Sequence, residues 1–167
     1  GEEPLLMRLA EEARTFSPPP LVVVVPRWPA TWGEMNSELV RRGIVTAHRT
    51  GLACKQYGSI TPEVIFLDMI GELRATLSFS TVCIVGGTFL GKGHSPLEAL
   101  RLGVPVVMGP STRWTNGNGE AVIAKRAAIG VASMEEAADA ALRLCANEAE
   151  RDRLVGLAFL LLKEHHE

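Results

Sequence analysis

Charge of one sign is almost absent: 17 Lys and Arg stand against 19 Asp and Glu, leaving a formal charge of −2. With so little excess, neither a phosphate backbone nor an anionic membrane is expected as the main partner, and no nucleic-acid binding is predicted. Cysteine is scarce and odd in number. Cys54, Cys83 and Cys145 lie far apart, which argues against a disulfide framework and for a reducing compartment. Long hydrophobic runs are missing too. The longest, at 21–25 and 157–162, fall far short of the roughly 20 residues a spanning helix needs, and no secretory signal opens the chain. The piece is therefore expected to be soluble, neither spanning a membrane nor secreted. His48, His94, His165 and His166 show no spacing with cysteines or acids that suits a metal. No metal, no cofactor and no Ser or Cys triad is expected. There is no internal repeat and no low-complexity segment.

What remains is an ordinary globular composition, 47% hydrophobic and 22% charged over 167 residues, enough for one domain with a core. Short runs rich in Val and Ile alternate with segments of helical period. The pattern predicts strands at 21–25, 44–48, 64–67, 82–85, 104–108 and 129–132. Between them it predicts helices at 4–16, 32–42, 71–79, 96–102, 119–128, 134–146 and 148–163. Uniformly apolar strands joined by helical crossovers imply an α/β fold, a Rossmann-like parallel sheet with helices on both faces. Capping-box pairs Thr31/Glu34, Ser95/Glu98 and Ser133/Glu136 mark helix starts, Pro96 suits a first helical position, and Gly43 and Gly103 suit C-caps. Residues 17–20 and 49–62 are expected to be loops, the second the most dispensable stretch. The helix over 154–162 is apolar around nearly its whole circumference. Core packing or a further domain would have to bury it.

Ligands of such sheets bind beyond the carboxyl ends of the strands, which directs attention to 26–29, 68–72, 86–98 and 109–119. The loop 86–93 nearly spells a Walker phosphate loop but ends on Gly93 where a Ser or Thr should ligate magnesium. Three roles fit it: that loop, a glycine-rich connection that merely lets the chain turn, or an anion cradle of free amides assisted by Lys92 and His94. Ser95 and Glu98 fit a capping box, and Glu98 equally fits a hydrogen bond to ribose hydroxyls. Arg27, held between Pro26 and Pro29, suits a phosphate or a surface carboxylate. Asp68 and Glu72 suit a helix cap and a favourable first-turn charge, or a chemical role.

Together these segments carry a family resemblance. Residues 25–29, Val-Pro-Arg-Trp-Pro, resemble its "PRHP" motif; 68–73, Asp-Met-Ile-Gly-Glu-Leu, its "DTMGEL"; and 85–88, Val-Gly-Gly-Thr, its "VGGS". Residues 93–98, Gly-His-Ser-Pro-Leu-Glu, resemble "GHNPLE", and 103–110 resemble "GVPVLFGP". The five stand in order and near-correct spacing over almost the entire chain. This is similar to the nucleotide-sugar half of the 3-deoxy-D-manno-octulosonic acid (Kdo) transferases, two-domain GT-B glycosyltransferases that add Kdo to lipid A precursors. Trp28 replaces the usual His, Ser95 the usual Asn, and the glycine loop is one residue shorter than "GGSLVxRGGHN".

The resemblance implies one nucleotide-sugar-binding domain over 1–167, the carboxyl-terminal half of a GT-B enzyme, with CMP-Kdo as donor. It carries the CMP contacts over to Pro26 and Arg27, to Ile70, Gly71 and Glu72, and to Ser95, Pro96, Leu97 and Glu98. The turn at 70–72 would read the cytosine edge, the helix start at Ser95 would face the phosphate, and Glu98 would hold the ribose. The general base, the lipid A precursor site and attachment to the cytoplasmic face of the bacterial inner membrane belong by resemblance to an amino-terminal domain this chain does not contain. Gly1-Glu2-Glu3 resembles the "HEGEE" stretch after the donor domain's first strand, so that strand is expected to be missing. A chain without catalytic residues is then expected to be inactive alone and, with an unpaired sheet edge, to self-associate. Three rivals remain: a GT-B domain for a UDP-sugar, in a hexosyltransferase or epimerase; a non-catalytic nucleotide- or protein-binding module; and a phosphotransferase working through Lys92.

Overall fold

The structure, a computed structural model, describes residues 1–26, 32–53 and 61–164, with the backbone alone at Trp32, Ala53, Trp114 and Glu164. Arg27, Trp28, Pro29, Thr31, Cys54, His165 and His166 lie outside the described residues. The chain folds as two compact units, Leu6–Leu73 and Gly1–Leu5 with Arg74–Glu167.

The elements run α1 (Glu3–Ala13), β1 (Val22–Val24), α2 (Trp32–Arg41), β2 (Thr46–His48), α3 (Arg49–Ala53), β3 (Val64–Phe66) and α4 (Leu73–Ser78). They continue with β4 (Cys83–Val85), α5 (Leu97–Arg101), β5 (Val106–Met108), a 3₁₀ turn (Arg113–Thr115), α6 (Asn118–Ala124), β6 (Ile129–Gly130), α7 (Met134–Ala146) and α8 (Glu148–Glu164). Every described pairing is parallel, as the apolar strands imply. The predicted single six-stranded sheet is instead described as two three-stranded ones, ordered β1-β3-β2 and β4-β5-β6. Each ladder is only two or three residues long, shorter than its apolar run.

In the unit over Leu6–Leu73 the central strand β3 buries Val64 and Phe66 against Leu6 and Ala10 of α1 and Leu39 of α2. Gly43 ends α2 in the left-handed region, at φ +71, where a glycine C-cap belongs. In the other unit all three residues of β5 are fully buried. Val106 and Met108 join Leu100 of α5, Val122 of α6 and Ala158 and Leu161 of α8 in one cluster. The pleat turns Val107 to the other face, and α7 packs on β4 and β5. Core packing thus takes one stripe of α8, Leu154, Ala158 and Leu161, while Leu160 on the opposite side is 60% exposed.

Helix starts follow the sequence signals in part. Ser133 caps α7 by accepting from the Glu136 N–H at 3.2 Å, and Glu136 accepts from the Ala132 N–H at 2.8 Å. At α5 the predicted box does not form: the helix begins at Leu97 with Pro96 at the N-cap position. Ser95 Oγ accepts instead from the Leu97 N–H at 3.3 Å, and Glu98 is exposed without a partner among the described residues. Residues 49–53, expected as loop, form α3. Cys83 and Cys145 are free thiols, and burial pushes Cys83 up to about 11.

Candidate functional site

In the unit over Leu6–Leu73 the register pairs Val24 and His48 each with Phe66, so all three strands end level. Pro26, Arg49 and Asp68 therefore leave along one edge. Here the segment 68–72 forms a turn, with α4 starting only at Leu73. The Ile70 side chain is 106% exposed, and Gly71 takes a left-handed φ of +93, a conformation that glycine adopts without a Cβ penalty. Asp68 does not cap α4. One of its carboxylate oxygens accepts from the Thr50 N–H at 3.0 Å, and the other accepts from the Thr50 hydroxyl, so it caps α3 from across the sheet. Glu72 likewise pairs across the edge, with Arg49 Nε at 3.2 Å. His48 stacks on Phe66 and sets Nδ1 3.9 Å from Asp68. Arg49 and Thr50 were not among the sequence candidates. The same rule that singled out the other strand ends, applied after β2, would have found them.

Burial works to raise the Asp68 carboxyl, but the Thr50 hydroxyl and N–H, its own backbone and His48 together outweigh it and hold the group below its ordinary value. A depressed carboxylate contributes stability above its unfolded value, about 3.9, and loses it as pH falls through the lower folded value. A carbon-detected NMR titration should therefore place the Asp68 midpoint below about 3.9, and Thr50→Val should move it upward. A midpoint at or above the ordinary value contradicts the clamp.

In the other unit β4 and β5 also end level, Val85 opposite Met108. The glycine loop that follows is closed on itself. The Leu90 and Lys92 N–H groups donate to the Gly87 carbonyl at 3.1 and 3.0 Å, and the Gly87 N–H donates to the Glu2 carboxylate at 2.8 Å. These three amides, of Gly87, Leu90 and Lys92, are thus satisfied within the protein. Thr88, fully buried, donates to the Val85 carbonyl at 2.7 Å and accepts from the Gly109 N–H at 2.8 Å, tying the two strand ends together. Replacing it by Val leaves both backbone groups unpaired and should cost about 1–3 kcal/mol in a urea melt. The chain then runs through buried Gly93 to exposed His94 and Ser95 and into α5.

Pro26, Ile70, Gly71 and Glu72 thus sit at one unit's strand ends, and Ser95, Pro96, Leu97 and Glu98 lead from the other's; Arg27 lies outside the described residues. Among the described residues no group of three or more His, Cys, Asp or Glu could hold a metal ion, and no helix is long and apolar enough to cross a membrane.

No family model matches the chain. Individual relatives do. A 3-deoxy-D-manno-octulosonic acid transferase of Bordetella pertussis is 33% identical over 147 residues, 84% of this chain and 33% of that protein. The enzyme of the same name from Haemophilus influenzae is 25% identical over 99% of this chain and 38% of its own length. Among solved structures, the C-terminal CMP-Kdo binding domain of WaaA from Acinetobacter baumannii matches with a TM-score of 0.81 and 28% identity, over 96% of this chain and 82% of that one. The similarity is to the Kdo transferases. What the chain matches there is the carboxyl-terminal domain of a GT-B glycosyltransferase, parallel strands flanked by helices. It spans about a third of the length of the curated Kdo transferases it matches.

Proposed function

We propose that this chain is the donor-binding part of a Kdo transferase and that it holds the CMP of CMP-Kdo. The observation that carries this is the match, over nearly the whole chain, to a domain described as binding CMP-Kdo. Its strand-end segments have the chemistry for it. The exposed turn at 70–72 offers backbone donors and acceptors to a base edge, and exposed Glu98 offers a carboxylate to ribose hydroxyls. Pro26 and Arg27, and Ser95, Pro96 and Leu97, are assigned to the sugar-phosphate, with Arg27 balancing its charge. In the whole protein an acceptor hydroxyl, deprotonated by a Glu of the amino-terminal domain, would attack the anomeric carbon of Kdo as CMP departs. The residues here would stabilise the leaving phosphate as charge develops on it. We assign the acceptor as a lipid A precursor, the place as the cytoplasmic face of the inner membrane, and 1–167 as one nucleotide-sugar-binding domain.

Calorimetric titration with CMP tests the reading. Glu98→Gln removes a charged hydrogen-bond acceptor, worth about 1.5–3 kcal/mol, and should weaken CMP roughly tenfold or more without moving the melting temperature. Unchanged affinity would remove Glu98 from the site. Exposed Leu21, Val23 and Val25 along the outer strand β1 support self-association. Light scattering should show mass rising with concentration; a monomer throughout contradicts it.

A further inference from the structure

We propose that Arg49 and Thr50 are positioning residues that set the nucleotide-reading turn from outside the site, an inference that rests on the CMP-binding reading above. The turn gains little from burying its own side chains: Met69 is 43% and Ile70 106% exposed, and Gly71 adds no side chain. What grips it is polar and comes from α3. Thr50 closes the turn's first residue with its N–H and hydroxyl on the two Asp68 oxygens, and adjacent Arg49 closes its last through Glu72. Two neighbouring residues on one short helix thus fix both ends of a five-residue turn, leaving Ile70 and Gly71 presented between them.

A backbone can read a base edge only if its donors and acceptors hold still. When the competent geometry is a fraction of the population, the apparent Kd rises by the inverse of that fraction. Arg49 and Thr50 therefore act through Asp68 and Glu72, and need not touch the nucleotide. Because the turn reads the base, releasing it should erode discrimination between bases as well as affinity. Arg49 is 39% exposed, and an exposed ion pair contributes little to stability. Its effect on binding therefore separates positioning from simple support of the fold.

The test is calorimetric titration of the chain and its variants with CMP and UMP, each variant also melted thermally. Thr50→Val is expected to raise the CMP Kd about tenfold, as for a competent fraction reduced to about a tenth, and to bring the UMP and CMP values together. Thr50→Ser, which keeps the hydroxyl, restores both affinity and preference. Arg49→Gln weakens CMP severalfold with the melting temperature unchanged, and decides the matter should Thr50→Val fail to fold. A parent that binds CMP with preference, beside Thr50→Val and Arg49→Gln variants that bind it equally well, overturns the positioning role and leaves the donor reading standing. A folded parent that binds no CMP overturns the donor reading and this inference with it.

Discussion

Phe66→Ala is expected to destabilise the chain by about 3–5 kcal/mol, read as a fall in the urea midpoint. Phe66 is among the largest fully buried side chains. It ends the central strand β3, packs in the cluster of α1 and α2, and carries the His48 ring on its face at 5.5 Å between centroids. Truncation leaves a cavity at the point from which the Asp68 turn departs, so loss of CMP binding should accompany loss of stability. Phe66→Leu keeps most of the volume and should cost about 1.5 kcal/mol or less. Equal midpoints for the alanine variant and the parent would mean that β3 is not the core of its unit.

Gly87→Ala is expected to cost about 2–5 kcal/mol, and Gly156→Ala to gain about 0.5–1 kcal/mol, although the chemical change is the same. At Gly87 the backbone has a φ of +78, and an added Cβ would lie 2.6 Å from the Lys92 carbonyl oxygen. That oxygen is main chain and cannot swing away. The left-handed conformation costs an L-residue about 1–2 kcal/mol and the crowding about 1–3 more. At Gly156, within α8, nothing lies within 4 Å of the added carbon, so only the helix preference for alanine remains. Melting curves in which the two variants shift alike would contradict the closed glycine loop.

Much of the fold was legible because both strand types of evidence agree: apolar runs bounded by Gly, Pro or polar residues coincide with all six strands. Strand order was not legible. β1 and β2 are neighbours in sequence, yet β3 pairs between them, an outcome of how the crossovers pack, which no local pattern encodes. α3 escaped notice because Arg-Thr-Gly-Leu-Ala is too short to show a helical period and contains a glycine. Its cap, Asp68, comes from a distant segment. The stretch 49–62, which looks the most dispensable in sequence, therefore begins with the two residues that hold the 68–72 turn.

At the candidate site, the segment 68–72 was legible from its place after a strand, but the helical pattern took in residues 71 and 72, whereas the helix begins only at Leu73. The misread helix start at Ser95 has a local cause: Pro96 takes the N-cap position itself, so the serine hydroxyl reaches the Leu97 N–H, two residues ahead, from outside the helix. The closed state of the glycine loop could not be read from 86–93 alone, since one of its amides is taken by Glu2 at the start of the chain.

The most direct measurement is an amide-proton NMR titration of the isotopically labelled chain with CMP. Donor binding predicts that the resonances of Ile70, Gly71, Glu72, Ser95, Leu97 and Glu98 move along a single saturation curve, with the closed-loop amides of Leu90 and Lys92 nearly still. A folded chain whose spectrum does not respond, or one that responds at 87–92 and not at 70–72 and 95–98, would contradict it.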